Sequence, residues 1–153
     1  MPIFKFLHIA SMFMYVGMAV GTDFLLHRIA RSGDVRAIRI AFRLFRSIEL
    51  IVPGFFVLGI LFGLTTAFTG GFNFVAPWLI IAYTLVVMMF ISGGAIGGVW
   101  IQKVEAAAAT SPDNSPSPEL QDLIHDRTSE YAMWFGILLI VAIVFDMVVK
   151  PFS

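Results

Sequence analysis

Four apolar runs fix what this chain can fold into. They cover roughly residues 3–30, 38–68, 75–103 and 120–149. A hydrocarbon core of ~30 Å needs about 20 helical residues, so each run is long enough to cross it. Of the 153 residues, 59% are hydrophobic and 13% charged, against about 25% charged in soluble domains. The mean hydropathy of +0.91 points the same way. The expected fold is all-α: a polytopic membrane protein, one antiparallel bundle of four transmembrane helices spanning residues 1–153 as a single domain. The first run is too long for a signal-peptide core and lacks a small-x-small cleavage site, so it is expected to stay in the mature chain. There is no cysteine, which excludes disulfides, thiolate metal sites and cysteine nucleophiles.

The connections differ in chemistry. Ser32-Gly33-Asp34 reads as a tight turn that makes the first two helices antiparallel neighbours. Thr69-Gly70-Gly71-Phe72-Asn73 is a second short turn. Residues 106–117, AAAATSPDNSPS, read as a mobile cytoplasmic linker without a fold of its own. Ser117-Pro118-Glu119 has the serine cap and first-turn proline of a helix start, and Lys150-Pro151 closes the last helix. No internal repeat is visible.

Lysine and arginine set the orientation. Arg28, Arg31, Arg36, Arg39, Arg43 and Arg46 flank the first turn, and Lys103 and Arg127 flank the linker; Lys5 and Lys150 lie at the other end. The positive-inside rule then places both termini outside the cytoplasm. Arg36, Arg39, Arg43 and Arg46 share one helix face in VRAIRIAFRLFRSIELIVPG. The stripe runs straight into a membrane span, which argues against a nucleic-acid arm. It stops at the inner surface, which argues against a voltage sensor. It reads as an anchor for anionic lipid, worth about 1 kcal/mol per arginine, with Arg43 and Arg46 neutralising Asp23 and Glu49.

Small residues four apart recur at Gly17/Gly21, Gly59/Gly63, Gly93/Gly97 and Gly94/Gly98. Such pairs allow close helix approach and predict a tight bundle. On the first helix the glycines lie opposite a polar stripe of His8, Ser11, Met12, Tyr15, Ala19, Thr22 and Asp23. That stripe is expected to face the interior, leaving the glycine stripe as a contact surface for a homo-oligomer or a partner in a membrane complex.

Depth divides the polar residues into two layers. His8 and Asp146 lie near the outer surface, flanked by Lys5 and Lys150. Asp23, His27, Arg43, Arg46, Glu49, Gln102, His125 and Glu130 lie near the inner one. His8 and His27 are separated by roughly 28 Å of helix, so they cannot share a metal ion. In the outer layer, His8 is a candidate haem or metal ligand, with Met12 and Tyr15 lining the pocket and Asp146 orienting the second ring nitrogen. The plain alternative is a buried His8–Asp146 ion pair or hydrogen bond, or that each faces interfacial water. In the inner layer, Asp23-x-x-x-His27 and Asp122-x-x-His125 each put a carboxylate and an imidazole on one helix face. No second Glu-x-x-His completes a di-metal pattern, and a salt-bridge network among Asp23, Glu49, Arg43, Arg46 and Glu130 is the favoured reading. Nucleophile and phosphate-loop signatures are absent. Trp78, Trp100 and Trp134 stand at segment ends, where an interfacial belt is expected.

Three stretches carry a resemblance: Lys5-Phe6-Leu7-His8-Ile9, Arg43-Leu44-Phe45-Arg46 leading to Pro53 and Gly63, and Val148-Val149-Lys150-Pro151-Phe152. Together they resemble a family of small four-helix bacterial integral membrane proteins of unknown function, which implies a multi-pass protein of the bacterial inner membrane. More distantly the chain is similar to HemJ-type protoporphyrinogen oxidases and CopD-type copper-resistance domains. The first likeness implies His8 as a haem ligand. The chain departs from it at Val99-Trp100-Ile101-Gln102, where a tyrosine-histidine pair is expected, and at Glu130-Tyr131-Ala132-Met133-Trp134, where an Asn-Glu-Val-Pro element is expected.

Three functions follow as expectations. One is a haem b-binding or redox-linked membrane protein acting through His8. Another is a non-enzymatic membrane subunit or small transporter whose polar residues are structural. The third is copper handling by His8 and Met12, which are four apart; the other methionines are scattered as core filler would be.

Overall fold

The computed structural model describes residues 2–151, apart from the side chain of Glu49. In order, the helices are α1 (Pro2–Ala30), α2 (Val35–Thr69), α3 (Pro77–Phe90), α4 (Val99–Thr110), α5 (Pro118–Ile124) and α6 (Arg127–Val149). A π-helical segment, Ile91–Gly98, joins α3 to α4 without a break. Four continuous spans result, each long and apolar enough to cross a membrane. Phe152 lies outside the described residues.

The turns follow from their residues. Gly33 takes φ +70°, a left-handed conformation that favours glycine. Asp34 then caps α2, its carboxylate accepting from the backbone N–H of Arg36 at 2.9 Å and of Ala37 at 3.1 Å. α2 is 35 residues long, about 52 Å, so its arginine-bearing first turns project beyond a ~30 Å core. At the other end of the bundle Lys150 adopts φ 48° and ends α6, its N–H donating to Asp146 O at 2.8 Å. Its ammonium lies 4.4 Å from the Phe72 ring centroid and 5.1 Å from that of Trp78, joining the chain's end to the second turn.

Two departures from the sequence reading concern the third and fourth spans. The third helix continues through Thr110, so residues 106–110 belong to it rather than to a linker. The rest of that segment is pinned. Arg39 donates from Nε to Ala108 O at 2.7 Å, and its guanidinium also reaches Ser111 O and Asp113. Arg36 pairs with Asp113 at 3.3 Å. These carbonyls lie at the end of α4, where no further helical N–H is available to them. The fourth span, in turn, is two helices: Ser117 caps α5, accepting from Leu120 N at 3.2 Å, and Asp126 caps α6, accepting from Thr128 N at 2.9 Å.

Helix α1 lies along α2, α6 packs on α3 and the π-helical segment, and α4 closes against α2 and α5. The larger buried cluster sits at the arginine-rich end, with Leu26, Ala30, Ile38, Phe42, Val104 and Leu120 at its centre. A smaller one, Phe56, Met89 and Leu139 with Met12 and Tyr15 against it, lies at mid-depth. This distribution is physical. Apolar burial is driven where helices meet water, while inside lipid only close contact holds them.

Candidate functional site

The outer layer is built on the α1–α2 contact. His8 and Met12 are one turn apart on α1 and face Gly63 and Gly59 of α2. A methyl at Gly63 would come within 2.8 Å of His8 Nδ1, and one at Gly59 within 2.8 Å of Met12 Cε. These glycines are the notches that admit the two side chains. The His8 Nδ1–H donates to Gly59 O at 2.7 Å. A carbonyl can only accept, so the neutral ring carries its proton on Nδ1 and presents a lone pair on Nε2. Tyr15 continues the same face, its ring 5.0 Å from that of Phe56.

Asp146 does not join this group. It is 2% exposed, neither carboxylate oxygen has a hydrogen-bond partner among the described residues, and it forms no ion pair with His8 there. The orienting role expected of Asp146 is taken by the Gly59 carbonyl, because α1 turns His8 onto α2.

The inner layer centres on His27, which is 7% exposed. Its ring stacks on Trp100 with centroids 4.0 Å apart and planes 11° off parallel. Its Nδ1–H donates to Asp23 O at 2.9 Å, with Asp23 Oδ1 3.3 Å away. Its Nε2 is buried without a partner among the described residues. Trp100, 4% exposed, donates from Nε1 to Leu123 O at 2.9 Å, which locks α5 under α4.

The expected inner salt-bridge network breaks into pairs with other partners. Arg31 meets Glu130, Arg46 meets Glu105 at 3.3 Å, and Asp23 meets His27 rather than an arginine. Arg43 is exposed, and the Glu49 side chain lies outside the described residues. His125 is exposed, its Nδ1–H donating to Gln121 O at 2.8 Å within its own helix. It makes no hydrogen bond with His27 among the described residues. No group of three His, Asp or Glu side chains able to hold a metal ion occurs among the described residues.

Residues 2–151 match the family described as predicted integral membrane protein, DUF2269. The chain is a member of DUF2269. No curated protein and no solved structure gives a match to it.

In this DUF2269 protein the sequence singles out His27 and Asp23 as site candidates, and reads Arg31 and Arg39 only as orienting charge and Trp100 only as a belt residue; Glu105 and Asp113 carry no signal of their own. Trp78 and Trp100, expected in an interfacial belt, are both buried, and Trp134 is 53% exposed. Spacing within one helix gives a residue's face but not which neighbouring helix meets it. Arg39 carries the one local hint, since it faces the same side as Arg36 and Arg43 while pointing at a helix end that needs donors.

Chemically, the two layers of the DUF2269 chain share one motif. Each has a histidine whose Nδ1 proton is held by a backbone carbonyl, leaving Nε2 to other partners. Such a tautomer suits a ligand to iron or an acceptor of a hydrogen bond. Met12 is seated on Gly59, and Asp146 makes no hydrogen bond or ion pair with His8 among the described residues.

Proposed function

We propose that this protein binds haem b, or is otherwise redox-linked, through His8. The observation that carries the reading is the Nδ1–H donation to Gly59 O at 2.7 Å. It fixes the ring on α2, sets the tautomer and makes Nε2 more basic, as partners behind metal-ligating histidines do. Haem b held at Nε2 supplies one-electron chemistry. The residues of this chain orient the imidazole, and Tyr15 and Phe56 make an aromatic contact two turns further along the same α1–α2 seam. The protein lies in the bacterial inner membrane with both termini outside the cytoplasm and anionic lipid around its arginines, and it works as a homo-oligomer or with a membrane partner. The charge asymmetry supports the orientation.

The test is an absorption spectrum of detergent-purified protein from haem-replete cells. A Soret band is expected, and it disappears in His8→Ala. A colourless, folded preparation overturns the reading. Metal analysis of the same sample covers copper at His8.

A second reading is favoured by the notches. His8 and Met12 already fill the spaces at Gly63 and Gly59, as packing alone requires. On that reading the chain is a non-enzymatic subunit or small transporter, colourless, with His8→Ala affecting stability only.

A further inference from the structure

Between the inner ends of α1 and α6 lies an open cleft of ≈ 350 Å³. Three features define its chemistry. Phe24, Met133 and Trp134 form apolar walls. Arg28 and Arg31 line it with Glu130; Glu130 is paired with Arg31, and Arg28 has no ion pair among the described residues, so the cleft is net cationic. His27 lines it as well, buried, with its Nε2 lacking a partner among the described residues.

We propose that this cleft holds the headgroup of a phospholipid that combines a phosphodiester with a free hydroxyl, as phosphatidylglycerol does. The unpaired charge of Arg28 calls for an anion, and arginine suits a phosphate. The tautomer of His27 calls for a donor. With Nδ1–H given to Asp23 O at 2.9 Å, the neutral ring offers Nε2 as an acceptor, which a headgroup hydroxyl satisfies and a bare phosphodiester does not. Depth decides that the occupant is a lipid. Phe24 lies three residues up α1 from His27, and Met133 and Trp134 three and four residues along α6 from Glu130. The apolar walls therefore sit about 5 Å deeper in the membrane than the charged groups, and they receive an acyl chain. Phe24 and Trp134 are both exposed along this path. The site is independent of whether His8 binds haem.

The test uses the full-length protein in phosphatidylcholine nanodiscs doped with phosphatidylglycerol or with phosphatidylethanol. The latter has the same charge and no headgroup hydroxyl. Lipid retained through detergent extraction is measured by mass spectrometry. Wild type is expected to enrich phosphatidylglycerol about tenfold over phosphatidylcholine, the effect of a charge-assisted hydrogen bond, and to enrich phosphatidylethanol less. His27→Phe, which keeps a ring against Trp100, removes the difference between the two anionic lipids. Arg28→Gln, at an exposed position, removes the preference for both. Soluble glycerophosphoglycerol does not displace the bound lipid. The proposal is overturned if wild type retains all three lipids equally, if phosphatidylethanol matches phosphatidylglycerol, if Arg28→Gln changes nothing, or if the chain-free headgroup competes.

Discussion

A methyl group at Gly63 would lie 2.8 Å from His8 Nδ1 and 2.9 Å from Cε1, while Gly17 and Gly21 have nothing within 4 Å of theirs. The two pairs are indistinguishable as sequence, each being two glycines four apart on an apolar helix. Gly63→Ala is expected to destabilise by about 1–3 kcal/mol, because a ring hydrogen-bonded to α2 cannot retreat cheaply. Gly59→Ala costs less, since the contact is the flexible end of Met12. Gly17→Ala and Gly21→Ala gain helix propensity, up to ~1 kcal/mol in an exposed helix interior. Thermal unfolding in detergent, followed by circular dichroism, ranks the four variants; equal effects at Gly63 and Gly17 count against the notch. The recurrence of glycine reads as a packing device in the sequence, but only Gly59 and Gly63 of α2 meet another helix closely. At Gly93 and Gly94 likewise nothing approaches, and there the glycines accompany a π-helical stretch instead. Ser92 anchors it, donating to Ala132 O at 2.9 Å.

Among the elements, the end of α4 and the segment after it depend on α2. Asp113 is held below the usual carboxylate range, first by its hydrogen bond from Arg39 and then by the charge of Arg36. A lowered native pKa means that the contribution is present above the unfolded carboxylate pKa. It is lost as pH falls through the native value. Amide exchange at Ser111 and Ser117, whose N–H groups donate to Ala107 O and to Ser111 Oγ, is therefore expected to stay slow at neutral pH and to quicken only under acid conditions, after correction for intrinsic rates. Arg39→Gln should quicken it at neutral pH, because the Ala108 and Ser111 carbonyls lose their donor as well. Asp113→Asn should have a smaller effect. Fast exchange at both of these amides in wild type would restore the mobile linker that the Pro/Ser/Asp composition suggests. Composition misled here because it reports only what a segment does by itself, and Arg39 reaches it from a different helix. The split of the fourth span at His125 was also hidden: Asp126 reads as one more polar residue until its carboxylate is seen capping α6.

At the scale of the whole molecule, the spans place residues 70–76 and residues 111–117 at opposite ends of the bundle, and the chain's freedom from cysteine makes that testable. A membrane-impermeant maleimide applied to intact cells should label Asn73→Cys and leave Asn114→Cys unlabelled until the membrane is opened. The reverse pattern would invert the proposed orientation. Four apolar runs, their length and the arginine asymmetry were enough to specify an all-α membrane bundle, since a lipid-embedded backbone has to satisfy its hydrogen bonds within each segment. That is a local requirement, so the sequence alone determined it. Which histidine meets which partner is not local. His8 finds Gly59 across 51 residues, Arg31 finds Glu130 across 99, and His27 stacks on a tryptophan from another span. Those meetings depend on the rotation of each helix about its axis and its offset along it, and in lipid these are set by packing between helices. The tertiary structure alone decided them.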